Sequence, residues 1–126
     1  MKMLLFVAFG GAVGASARYA VSLAFINISC CQFPFSTFFV NTCGSFFLGV
    51  VLALLDYSWS ASPEIRAFFV VGVLGGFTTF SAFSLDILIL AERQRLDLLA
   101  AYLFGTLILS FAGLIAGLRL SRAIIT

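Results

Sequence analysis

Long runs without a charged residue set the pattern of this chain. Positions 3–17, 19–55, 67–85 and 98–118 contain no Asp, Glu, Lys or Arg, and most of the charges fall between these runs. A helix that crosses a bilayer needs about 20 predominantly apolar residues. The pattern therefore predicts four spans, at 3–28, 37–55, 67–91 and 98–118. The expected fold is an all-α integral membrane protein with four transmembrane helices in one domain, 1–126.

The connecting segments carry interfacial signals. Around Cys30 to Ser36, Pro34 and polar neighbours predict a turn. Asp56, Tyr57, Trp59, Pro63, Glu64 and Arg66 make the second loop, where Tyr57 and Trp59 suit the headgroup belt. Glu92, Arg93, Arg95 and Asp97 close the third. Lys2, the apolar residues after it and the small residues Gly10 to Ala17 imitate a cleaved signal peptide. Three further spans follow with no soluble domain to export, so the segment reads as a retained span.

The third span is the least helix-like. Its centre, GVLGGFTTFSAFSLD, places Gly72, Gly75 and Gly76 ahead of Thr78, Thr79 and Ser81. Glycines and hydroxyls at bilayer depth let a helix unwind, and broken backbone is tolerated there only when buried in protein or lining an aqueous cavity. A third helix broken at its centre is the expectation.

Composition narrows the function. Of the 126 residues, 63% are apolar and 10% charged, against roughly 25% charged in a soluble domain. With no histidine and with Cys30, Cys31 and Cys43 in apolar surroundings, neither a zinc site nor a disulfide framework has its ligands, and the cysteines read as packing. A net charge of +2 without a basic stripe excludes nucleic-acid binding. There is no phosphate-binding glycine loop for a nucleotide. Nor is there a nucleophile–base pair for an enzyme.

Charge placement bears on topology. Four spans put both termini on one side with the 56–66 loop, which gives that side Lys2, Arg66, Arg119 and Arg122. The other side has Arg93 and Arg95, with Arg18 if it snorkels that way. So small a bias does not fix orientation, which predicts insertion both ways round and permits an antiparallel dimer.

A few residues stand out from the apolar background. Asn41 lies inside the second span, where an unpaired carboxamide costs about 2–7 kcal/mol; it must meet either a neighbouring helix or a permeant. Arg18 serves either as an interface anchor or to focus positive potential at a cavity mouth. Tyr102, Thr106 and Ser110 recur every four residues and form a polar strip on the fourth helix. Gly10, Gly11, Gly14, Ala15 and Ala17, and the stretch Gly44 to Gly49, permit close helix approach. Phenylalanine supplies 16 residues, and Phe77, Phe80 and Phe83 share a direction if that segment is helical. Ring edges are positive, so rings turned edge-on stabilise a small anion without a fixed cation that would hold it too tightly.

Taken together, GGAVGASARY at 10–19, VNTCGSFFLG at 40–49 and GGFTTFSAFS at 75–84 resemble the fluoride channel family, Fluc or CrcB, also called camphor resistance protein. The resemblance covers essentially the whole chain. It implies a dual-topology homodimer of antiparallel chains in the cell membrane, which is the inner membrane if the source is a Gram-negative bacterium, with two fluoride pathways along the subunit interfaces. On this resemblance Asn41 is the pore asparagine, Phe80 and Phe83 present ring edges to fluoride, and Ser81, Tyr102, Thr106 and Ser110 supply hydroxyls. Arg18 falls at the vestibule. A structural sodium ion, Na+, is expected at the dimer centre, held by main-chain carbonyls of Gly75 and Thr78 from both chains. Departures are modest: Ala82 stands where threonine is common, Asp86 where glutamate is, and Ser36 where glycine often precedes the second helix.

Two other classes compete. A small multidrug-type, proton-coupled exporter needs a membrane-embedded carboxylate, and Asp86 is the only candidate. A membrane structural or assembly protein would explain the glycines and phenylalanines but not polar groups that are costly at depth.

Overall fold

The computed structural model describes residues 1–28, 32–57 and 61–125. Its elements are α1 (Lys2–Phe25), α2 (Phe35–Tyr57), α3 (Pro63–Arg66), a π-helical stretch (Ala67–Leu74), α4 (Gly75–Phe77), α5 (Phe80–Glu92) and α6 (Leu96–Ile125). Among the described residues four lengths are apolar enough to cross a bilayer: α1, α2, the compound span Pro63–Glu92, and α6. The chain is thus an all-α, multi-pass membrane protein with one interrupted helix. Helix α6 outruns the predicted end at 118 because Arg119 and Arg122 continue the helix past the apolar run.

Local chemistry explains the starts and stops. Ser62 caps α3, its Oγ accepting from Ile65 N–H at 3.3 Å, and Pro63 takes the first helical position, where no N–H is needed. Helix α5 ends at Glu92, and Gln94, just past the Arg93 cap, is left-handed with φ of 56°. Arg95 N–H then donates to Leu90 O at 3.0 Å, closing the helix end. Tyr57 is exposed at the end of α2. Trp59, Cys30 and Cys31 lie outside the described residues, while Cys43 is a half-buried free thiol on α2.

Packing divides the helices into two pairs. α2 lies along α6, and α1 lies along the π-helical stretch and α4. Both approaches depend on missing side chains. A Cβ on Gly49 would meet the carbonyl of Leu114, and one on Gly117 that of Phe46. On the other pair, a Cβ on Gly14 would run into the carbonyl of Val73. Gly11 is different, since a Cβ there would meet nothing within 4 Å. Without a hydrophobic drive between helices in lipid, this backbone-to-backbone contact is what holds the spans together.

At the other membrane end from the α5–α6 turn, Asp56 accepts from both Arg66 (3.4 Å) and Arg122 (3.2 Å), tying the end of α2 to α3 and α6. These pairs are about half exposed, so each adds little stability.

Candidate functional site: the broken third span

The third span is interrupted at Thr78 and Thr79, both extended, with φ/ψ of −78°/159° and −153°/122°. The glycines before them stay helical: Gly75 has φ/ψ of −64°/−35°, and no described glycine takes a positive φ. Their role here is close approach, as at Gly76, whose missing Cβ leaves room for Gly11 O and Ala15 N of α1. The break itself is made by the threonines. Thr79 is the N-cap of α5, its Oγ1 accepting from Ala82 N–H at 3.2 Å. The interruption also separates Phe77, the last residue of α4, from Phe80 and Phe83 on α5, so the three rings do not share one helix face.

Asn41 is buried, at 8% exposure, and fills the gap in the broken backbone. Its Nδ2 donates to Thr79 O at 3.0 Å, and its Oδ1 accepts from Thr79 N–H at 2.8 Å. The carboxamide thus pairs with Thr79 as a second peptide group would. One of the two partners left open by the sequence, a neighbouring helical segment, is thus present.

This pairing changes the fate of two carbonyls. In a continuous helix Thr79 N–H would donate to Gly75 O, but it goes to Asn41. Ala82 N–H would donate to Thr78 O, but it goes to Thr79 Oγ1. The Gly75 and Thr78 oxygens thus lose their regular helical donors, and because α5 starts afresh at Phe80 those of Gly76 and Phe77 do too.

A groove of about 430 Å³ opens along the break. Asn41, Gly75, Thr78, Phe80 and Phe83 line one side, and Thr106 and Ser110 of α6 face them. Among the described residues no Lys, Arg, Asp or Glu lines it. Thr106 Oγ1 and Ser110 Oγ are buried without a hydrogen-bond partner among the described residues. Phe80 is 76% exposed and Phe83 only 4%, with ring centroids 5.8 Å apart. Helix α5 starts at this groove, so its positive dipole end and free N–H groups lie at the middle of the span.

The remaining predicted residues fall around the groove. Ser81 is exposed beside the break, its Oγ 3.2 Å from Thr79 Oγ1. Tyr102, with 0% exposure, lies behind Phe83 within the chain and donates to Asp86 Oδ2 at 2.9 Å. Asp86, one methylene shorter than the glutamate common at its position, thus has a partner within the chain. Arg18 lines a second cavity of about 260 Å³ with Ser22, Ser36, Thr37 and Thr79, and its Nε is buried without a partner among the described residues. Thr79 borders both cavities. In the sequence it is one of the hydroxyls of the break, with no site role expected of it, although a threonine opening a helical run is an N-cap signal.

Comparison with known proteins fits this architecture. Residues 5–118 match the family model described as CrcB-like protein, Camphor Resistance (CrcB). The chain belongs to that family, whose members are channels and not enzymes. It is 48% identical over 122 residues to a fluoride-specific ion channel FluC of Rhodospirillum centenum, covering 97% of each chain. It is 45% identical over 122 residues to the FluC of Agrobacterium fabrum, covering 97% of this chain and 98% of that one. Over 121 residues it is 44% identical to the FluC of Nitrobacter winogradskyi, covering 96% of each.

Proposed function

We propose that this protein is a fluoride-selective channel that works as an antiparallel homodimer, with fluoride passing along the groove at the break on each chain. The observation that carries this reading is the groove's donor set. Two buried hydroxyls, unpartnered among the described residues, share the groove with the N-terminal end of a half-helix at bilayer depth and with phenylalanine rings, and none of the described residues lining it is charged. Buried polar atoms in a membrane need partners. Here the vacant groups are donors and positive dipole ends, which suit an anion.

Fluoride is small and strongly hydrated, so it needs replacement donors at each step of its passage. Thr106, Ser110 and Ser81 hydroxyls and the Asn41 N–H not used by Thr79 would supply them, with the Phe80 and Phe83 edges between. Arg18, in the adjoining cavity, would raise the local anion concentration. Groups without full charge hold the ion weakly enough to release it. Hydrogen fluoride crosses lipid uncharged, ionises at cytoplasmic pH and is trapped. A passive anion pathway then expels it down the inside-negative potential.

The Gly75 and Thr78 carbonyls fit a structural sodium ion. They are neutral oxygens at the break, and of the four residues whose carbonyls lose a helical donor there, Gly75 and Thr78 are the two that line the open groove, where a second copy would bring the same pair. The ion would hold the dimer centre and take no part in conduction. In the exporter reading Asp86 would exchange protons, but its carboxylate already accepts from Tyr102 and does not line the groove. The deciding experiment is fluoride efflux from liposomes that contain only the purified protein, with chloride as the matched comparison. Rapid fluoride release with chloride retained is expected; equal release of both, or of neither, would reject the reading.

A further inference from the structure

Phe33 belongs to no span and to none of the motifs. It stands in the turn that leads into α2, where Phe35 N–H donates to Phe33 O at 2.9 Å across Pro34. The proline ring fixes φ at the centre of this three-residue turn, so the backbone of Phe33 is set locally. Gln32 just before it is left-handed, with φ of 59°. Its Oε1 accepts from Arg95 Nη1 at 3.4 Å, and Arg95 also donates twice to Asp97, at 3.1 and 3.0 Å. The turn is thereby tied to the α5–α6 connection.

From this anchored position the ring reaches into the chain. Phe33 and Tyr102 meet edge to face, with centroids 5.6 Å apart and planes at 87°. Tyr102 also meets Phe83 at 5.3 Å, and Phe83 meets Phe80 at 5.8 Å. Four rings therefore connect the turn to the wall of the groove. Phe33 does not itself line that groove.

We propose that Phe33 is a positioning residue for ion passage, acting through Tyr102: it keeps the Tyr102 hydroxyl on Asp86 and the Phe83 ring at the groove wall. The proposal rests on the reading of the groove as the fluoride route. Its physical basis is close packing. Tyr102 is wholly enclosed, and a ring-sized void beside it would be filled by movement of its neighbours. A shift of Tyr102 displaces Phe83 directly, because the two rings are in contact.

The test measures fluoride efflux from the full-length protein in liposomes, after chromatography shows the dimer intact. Phe33→Ala is expected to lower flux about tenfold, and Phe33→Tyr, which keeps the ring, to restore it to within about twofold of the parent. In a Phe83→Leu background, Phe33→Ala should lower flux by less than about twofold further, because both changes act on one chain of contacts. A merely structural role would instead give losses that multiply. Multiplying losses, or parental flux from intact Phe33→Ala dimers, would overturn the proposal. If Phe33→Ala yields no dimer, Phe33→Leu takes its place with the same expectation and the same overturning result. A parent protein that releases no fluoride would overturn the channel reading, which is distinct from a conducting parent matched by its Phe33 variant.

Discussion

Asn41 and Thr79 hydrogen-bond each other reciprocally, side-chain amide to main-chain peptide, at 3.0 and 2.8 Å across the break in the third span. One side chain thereby stands in for a missing turn of helix. It satisfies one donor and one acceptor that hydrocarbon would otherwise leave stranded. The same residue also faces the groove, so its second N–H remains for another partner. In the proposed channel this one position would serve both the fold and the fluoride route.

Asn41→Asp follows from that geometry. An ionised carboxylate still accepts from Thr79 N–H, but it loses the donor to Thr79 O and sets a negative charge beside the route. The dimer should assemble, with fluoride flux reduced at least about a hundredfold, an effect of about 2.7 kcal/mol on the barrier. Efflux of purified mutant dimers at the parental rate would leave Asn41 as an interhelical staple only.

Phe80 and Phe83 should separate under the same substitution. Phe80 is largely exposed in the protomer, so Phe80→Leu leaves the fold intact and lowers flux through loss of the ring edge. Phe83 packs within the chain against Tyr102, so Phe83→Leu lowers both flux and stability, the latter by about 1 kcal/mol. Methionine at position 80, flexible and polarizable, should retain more flux than leucine. Thermal melts of the dimer read beside efflux distinguish the two effects; parental flux in both leucine variants would refute the ring-edge role.

Gly14 and Gly11 offer a contrast on one helix. A Cβ at Gly14 would collide with the carbonyl of Val73 and come within 2.8 Å of Phe77 N, whereas one at Gly11 meets nothing. Gly14→Ala should therefore destabilise the protein by at least about 1–3 kcal/mol. Gly11→Ala should leave the protomer fold unchanged. Comparative melting in detergent measures both; equal melting temperatures would mean that α1 is free to move away from the third span.

Gln94 occupies the left-handed position just past the end of α5. Its side chain makes that conformation costly, and glycine would not. Gln94→Gly is expected to stabilise the protein by about 1 kcal/mol, read as a raised melting temperature with flux unchanged. A lowered melting temperature would show that the Gln94 side chain contributes a contact outweighing the strain.

Orientation is testable without any conduction measurement. Arg18 lies in the cavity bordered by Ser22, Ser36 and Thr37, towards the Arg93 and Arg95 end, so the positive charges divide almost evenly between the two sides. Both orientations should coexist. After replacement of the native cysteines, a single cysteine at the C-terminus should label from each side of intact cells. Labelling from one side alone would exclude dual topology.

How much of this was legible in the sequence depended on the range of the interaction involved. Charge-free runs of spanning length determined four helices, because the bilayer penalises charge wherever it occurs along the chain. The glycine and hydroxyl cluster determined which span would break, and the three motifs pointed to the family. Tertiary structure decided the rest. The break falls at Thr78 and Thr79, past the glycines, because Asn41, 38 residues earlier, supplies the replacement pairing. The π-helical winding of Ala67–Leu74 has no local signal in AFFVVGVL; it lies where α1 approaches on Gly10 and Gly14. Tyr102 stands in step with Thr106 and Ser110 along the helix, yet it turns to Asp86 and the chain interior while the other two face the groove. Helical spacing sets which residues can share a face. Only packing against other helices decides what that face meets.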